Sequence, residues 1–152
     1  MNRLALTLPL LMFLAATTLA HSAPGDKKLE GAVIGVLGIE NLVMRMAQTC
    51  SRVNASAADT YNGAANDWRR RNGETVALAK RVLGQAFDES MQSLINLGVQ
   101  AKNDGSFNAV MKAQPAAQAR WCDRSAGEIN QGRLDVHNNS KLTTPLAAYG
   151  QP

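Results

Sequence analysis

Residues 29–50 read LEGAVIGVLGIENLVMRMAQTC. Leu29, Val33, Val36, Val43, Ala47 and Cys50 recur at three- to four-residue steps, or seven across the middle, and Ile39, Leu42 and Met46 widen the same face. That period is the signature of an amphipathic α-helix. Val33, Ile34 and Val36 are β-branched and three glycines interrupt the first turns, which weakens local propensity and leaves the helix start loosely defined. Gly31, Gly35 and Gly38 fall on one side, where small residues let a second backbone come close. Tight packing within the molecule is the simpler use of such a stripe.

The same period continues down the chain. Ser51 to Ser56 reads as a break, with Asn54 or Ser56 able to cap a second helix from about Ala57 through Tyr61, Ala64, Ala65 and Trp68 to Arg71. Asn72-Gly73 has the composition of a helix stop. A third helix is expected from Glu74 to about Ala101, carrying Val76, Ala79, Val82, Leu83, Ala86, Phe87, Met91, Leu94 and Ile95. Asn103-Asp104-Gly105 reads as a turn, followed by a short helix with Phe107, Val110 and Met111. Pro115 stands where a first-turn proline opens the last helix, which carries Ala119, Cys122, Ala126, Ile129 and Leu134 and extends toward Val136. Strand-like alternation is missing throughout. The fold expected is all-α, a compact bundle of four to five helices braced by one disulfide.

Residues 1–20 resemble a cleavable leader: Arg3 is the positive start, Leu4 to Leu14 is largely apolar, and Thr18 and Ala20 are small residues at the two positions a signal peptidase reads. Cleavage after Ala20 leaves His21 first; cleavage after Ala23 is disfavoured by Pro24 at the next position. The organisation expected is a signal peptide over 1–20, a flexible leader over 21–28, a helical domain over 29–137 and a flexible tail over 138–152. Past the leader, the longest apolar run, Gly31 to Ile39, stops at Glu40 and Asn41, far short of the roughly 20 residues a spanning helix needs. The exported chain is not expected to be transmembrane.

Export gives the two cysteines their meaning. Cys50 and Cys122 are the only ones in 152 residues. In an oxidising compartment an even pair of this kind is a structural bridge. Redox pairs usually sit two residues apart on one helix, whereas these lie in the first and last helices. A thiolate metal site needs further ligands, and His21 and His137 are the only histidines. No metal, no cofactor and no covalent haem are expected. Trp68 and Trp121 read as core around the disulfide.

Charge and candidate chemistry are sparse. The formal excess is +4, and loss of Arg3 with the leader lowers it by one. A mild excess suits anionic surroundings such as cell-wall polymers or lipid headgroups. Nucleic acid is not an expected partner, since no stacking aromatic series accompanies the basic residues. Trp68-Arg69-Arg70-Arg71-Asn72 is the densest cationic run. Guanidinium forks bind phosphate, sulfate and carboxylate bidentately, but three consecutive helical residues cannot share one face. Cations at a helix end also serve the dipole without any ligand. Scattered carboxylates and the poorly placed His137 mark no acid–base or nucleophilic site.

Cys50, the Trp68–Arg71–Asn72 segment, and Trp121-Cys122 followed by Ile129, Gly132 and Asp135 resemble the pattern of small periplasmic all-helical proteins of Gram-negative bacteria. The resemblance implies an exported α-helical protein with one disulfide, and carries no activity with it. Val76-Ala77-Leu78-Ala79-Lys80 followed by Asp88 is similar to the active-site helix of secreted chorismate mutases, which are also helical and disulfide-linked. That likeness implies Arg71 and Lys80 as anchors for a dicarboxylate, although Met91 stands where the family has an arginine. Two functions are therefore expected. The first is a non-catalytic periplasmic or secreted protein that binds an envelope protein, such as an effector or toxin, or an anionic envelope component, with Arg69, Arg70 and Arg71 as charged contacts. The alternative is a small helical enzyme or anion binder using Arg71 and Lys80.

Overall fold

A computed structural model describes residues 26–149; residues 1–25, which include the expected signal peptide, and residues 150–152 lie outside the described residues. Within that span five α-helices follow one another: α1 (Lys27–Val53), α2 (Ala58–Ala86), α3 (Glu89–Met111), α4 (Pro115–Asn130) and α5 (Ser140–Tyr149). A single 3-10 turn, Ala55–Ala57, joins α1 to α2.

The decisive stretch forms the central helix. The Asp26 carboxylate caps α1 by accepting from the Lys28 and Leu29 amides at 2.8 and 3.2 Å. Asp26 to Lys28, expected as flexible leader, thus belong to the domain. At 27 residues α1 is about 40 Å long. It is buried at Val33, Val36, Leu37, Val43, Met46, Ala47 and Cys50, and also at Ala32, Gly35 and Gly38. Burial so wide exceeds one amphipathic stripe because α1 touches all four other helices. The short connection folds α2 back antiparallel along it, and Lys80 of α2 reaches Glu40 of α1 at 2.8 Å.

Cys50 and Cys122 are bonded across α1 and α4, and both are fully buried. The all-α bundle and its single disulfide are therefore present as expected. Pro115 is the first-turn residue of α4.

Five boundaries differ from those expected; the first is the end of α4, which stops at Asn130 rather than carrying Leu134 toward Val136, because the chain turns at Gly132. Asn72-Gly73 does not stop a helix: α2 runs through it, with Asn72 fully buried. The expected third helix is instead broken at Phe87, and Asp88 caps α3 by accepting from the Met91 amide at 2.8 Å. Asn103-Asp104-Gly105 is no turn, because α3 continues to Met111 and absorbs the expected short helix. The segment from 138 onward is no tail through residue 149. It forms α5, with Leu146 fully buried and Leu142 and Tyr149 packed on the core.

A common physical reason covers the two overridden turns. Asparagine favours turns because its side chain competes for nearby backbone groups. Here long-range partners occupy that side chain. Asn103 donates to the Gly38 carbonyl at 2.9 Å and to Asn41 Oδ1 at 3.2 Å on α1. Asp104 next to it accepts from Arg45 at 2.6 Å.

Candidate functional site

Asn72 is the centre of a polar clamp between α2 and the loop after α4. Its amide nitrogen donates to the Trp68 carbonyl and to Asp135 Oδ1, both at 2.9 Å. Its oxygen accepts from the Val136 and His137 amides at 2.7 and 3.2 Å. His137 Nδ1 stands 3.0 Å from the same oxygen. Arg71 adds a two-pronged contact to Asp135 at 2.9 and 3.0 Å and a bond to the Ile129 carbonyl at 2.7 Å. Trp68 Nε1 donates to the Leu134 carbonyl at 2.9 Å.

The loop is shaped to receive them. α4 closes in a Schellman turn, with Arg133 N–H on the Glu128 carbonyl at 3.1 Å and Gly132 N–H on the Ile129 carbonyl at 3.0 Å. Gly132 holds φ +72°, and a Cβ there would lie 3.1 Å from Asp135 Oδ2. Burial by itself raises the Asp135 carboxyl pKa. The bonds from Arg71 and Asn72, with the charges of Arg71 and His137, outweigh burial and hold the carboxyl below its ordinary value. The Asp135 bond likewise raises the Arg71 pKa against desolvation. Trp68, Arg71, Asn72, Ile129, Gly132 and Asp135 are thus one structural unit, and its donors face inward onto protein acceptors.

The arginine run is divided accordingly. Arg71 belongs to the clamp. Arg70 is exposed and pairs with Asp67 on its own helix at 3.0 Å. Arg69 is exposed on the opposite side, at the wall of a cleft between α1 and α2. Lys80 lies about 13 Å along α2 from Arg71 and faces Glu40, so the two do not converge. Trp68 is fully buried, and Trp121 packs on the core with its ring edge-on to Phe107 at 5.6 Å.

The cleft beside Arg69 encloses about 490 Å³. Its polar walls are Arg45, Gln48 and Ser51 from α1 and Asn62, Asn66 and Arg69 from α2. A second groove of about 500 Å³ opens on the other side of Arg45 and Gln48, toward Arg52, Asn108 and Gln118. No carboxylate residue lines either one. No motif marks Arg45, Gln48 and Arg52 in the sequence. The available signal was their spacing, which places them on one polar stripe of α1 opposite its buried face.

No helix among the described residues is long and apolar enough to cross a membrane. The chain matches no protein-family model, no curated protein and no solved structure among those with which it was compared.

Proposed function

We propose that this is a non-catalytic binding protein of the Gram-negative envelope, exported by its first twenty residues, that captures an anionic envelope component on the α1–α2 face. The observation that carries this reading is the cleft in which Arg69 stands beside Arg45, itself paired to Asp104 at 2.6 Å, among three carboxamides with no carboxylate in the lining. Arg52 extends the same cationic face into the neighbouring groove. Guanidinium groups so placed attract anions from a distance and bind them by paired hydrogen bonds on contact. The enzyme reading through Arg71 and Lys80 is weakened because the two cations do not converge: Arg71 is part of the clamp on Asp135, while Lys80 lies about 13 Å along α2 and faces Glu40.

Sedimentation with isolated envelope material tests the proposal. Binding is expected to fall steeply as salt rises through the physiological range, as screening of exposed charges requires. Replacing Arg45 and Arg69 together by Gln is expected to weaken binding by about tenfold or more, since each guanidinium supplies a charge-assisted hydrogen bond that a neutral carboxamide replaces poorly. Undiminished binding by that double variant overturns the reading.

A further inference from the structure

Two grooves that share one wall suggest a ligand longer than either. Arg45 and Gln48 line both, so the α1 ridge runs between two compartments of nearly equal size. Each volume falls in the range of small-ligand sites. The lining is richer in neutral hydrogen-bonding groups than an anion alone would need. Gln48, Asn62 and Asn66 each offer two donors and an acceptor, the combination that vicinal hydroxyls satisfy. Ser51, on the wall of the α1–α2 cleft, has a buried side-chain oxygen without a hydrogen-bond partner in the protein. Among the described residues it is the sole buried side-chain polar atom in that condition.

One of the cations, Arg45, is held in place. Arg45 lies over the Phe107 ring at 4.5 Å and directs one nitrogen to Asp104 at 2.6 Å. The planar head is thereby fixed, with donors remaining on its other nitrogens. Asp104 takes up one of its nitrogens, so Arg45 acts on an anion together with Arg69 in the α1–α2 cleft and with Arg52 in the second groove. In the second groove the Gln118 amide nitrogen is occupied by the Met111 and Ala113 carbonyls at 3.1 and 3.0 Å. Its carboxamide oxygen remains as an acceptor for a hydroxyl.

We infer that this face binds a linear polymer of acidic sugars, laid across α1 with one acidic residue in each groove and Gln48 between them. The inference rests on the anion-capture reading and sharpens it: hydroxyls are recognised together with carboxylates. Titration calorimetry of the oxidised protein with tetragalacturonate, uncharged maltotetraose and inorganic polyphosphate of matched charge tests it. Tetragalacturonate is expected to bind at least tenfold more tightly than either of the others. Asn66→Ala and Gln48→Ala are each expected to weaken it by fivefold or more, while changing polyphosphate binding by less than twofold. Both residues are exposed, so folding is not at stake, and an unchanged thermal midpoint checks this.

Equal or tighter binding of polyphosphate, sensitive only to Arg45 and Arg69, overturns the sugar inference and leaves anion capture standing. Binding only to phosphatidylglycerol vesicles does the same and assigns the face to a lipid headgroup. No binding to any anionic probe, vesicles included, overturns both.

Discussion

Asp135 is where a single proton has most leverage on this fold. Its side chain is 8% exposed and accepts from Arg71 and Asn72. Its pKa is held below the ordinary value, so the folded state favours the carboxylate. The associated stability is fully present above the unfolded value of about 3.9 and is lost as pH falls through the lower folded value. Urea unfolding at neutral and acidic pH checks this. Asp135→Asn is expected to lose about 2–3 kcal/mol at pH 7, because Arg71 is left without its charged partner. It is also expected to show a shallower decline below pH 4 than the unsubstituted protein, about one carboxylate's worth of linkage. A parallel acid limb in both proteins contradicts the role assigned to the carboxylate.

At the scale of elements, α5 shows how a small helix is held by a few contacts. Leu142, Leu146 and Tyr149 share one face, and Leu142 Cδ2 stands 2.5 Å from where a Gly35 Cβ would be. Gly35 therefore admits α5 against α1, whereas nothing approaches the corresponding position at Gly31. Pro145 inside α5 removes one amide donor, but the Asn139 carbonyl and side chain hold the first turn through Lys141, Leu142 and Thr143. Leu146→Ala is expected to cost about 2–4 kcal/mol by cavity formation at a fully buried site. Denaturant titration reads this directly, and a loss under about 1 kcal/mol would show α5 to be only loosely docked. Its apolar spacing was present in the sequence; Thr144-Pro145 and the surrounding polar residues masked it. The break at Phe87 was equally legible, since Asp88 followed by Glu89 is an ordinary helix start.

Across the whole molecule, the Cys50–Cys122 bridge closes a loop of 72 residues and ties the central helix to α4. Constraint of the unfolded chain over that length is worth about 4 kcal/mol in the chain-entropy model. Reduction, or paired Cys→Ala substitution, is expected to lower the unfolding free energy by about 2–5 kcal/mol while the helical circular dichroism at room temperature is largely kept. Complete loss of helicity on reduction would mean the core alone cannot hold the bundle. The bridge and the clamp act on different parts of the α4 region: one ties the body of α4 to α1, the other ties the loop after it to α2.

Local periodicity, proline position and cysteine count determined the class of fold, the central helix, the start of α4 and the covalent brace, because each depends on near neighbours or on a single possible pairing. The Trp68, Arg71, Asn72 and Asp135 pattern was also visible as residues, but its purpose was not. Only the tertiary structure decided that Asn72 and Asn103 sit inside helices, since their fate depended on partners 63 and 65 residues away that capture the side chain before it can break the backbone. The same long-range packing sorted three adjacent arginines into a clamp, a local ion pair and a cleft wall. A helix turns about 100° per residue, so neighbours in sequence face different surroundings, and only the packed bundle says what those surroundings are.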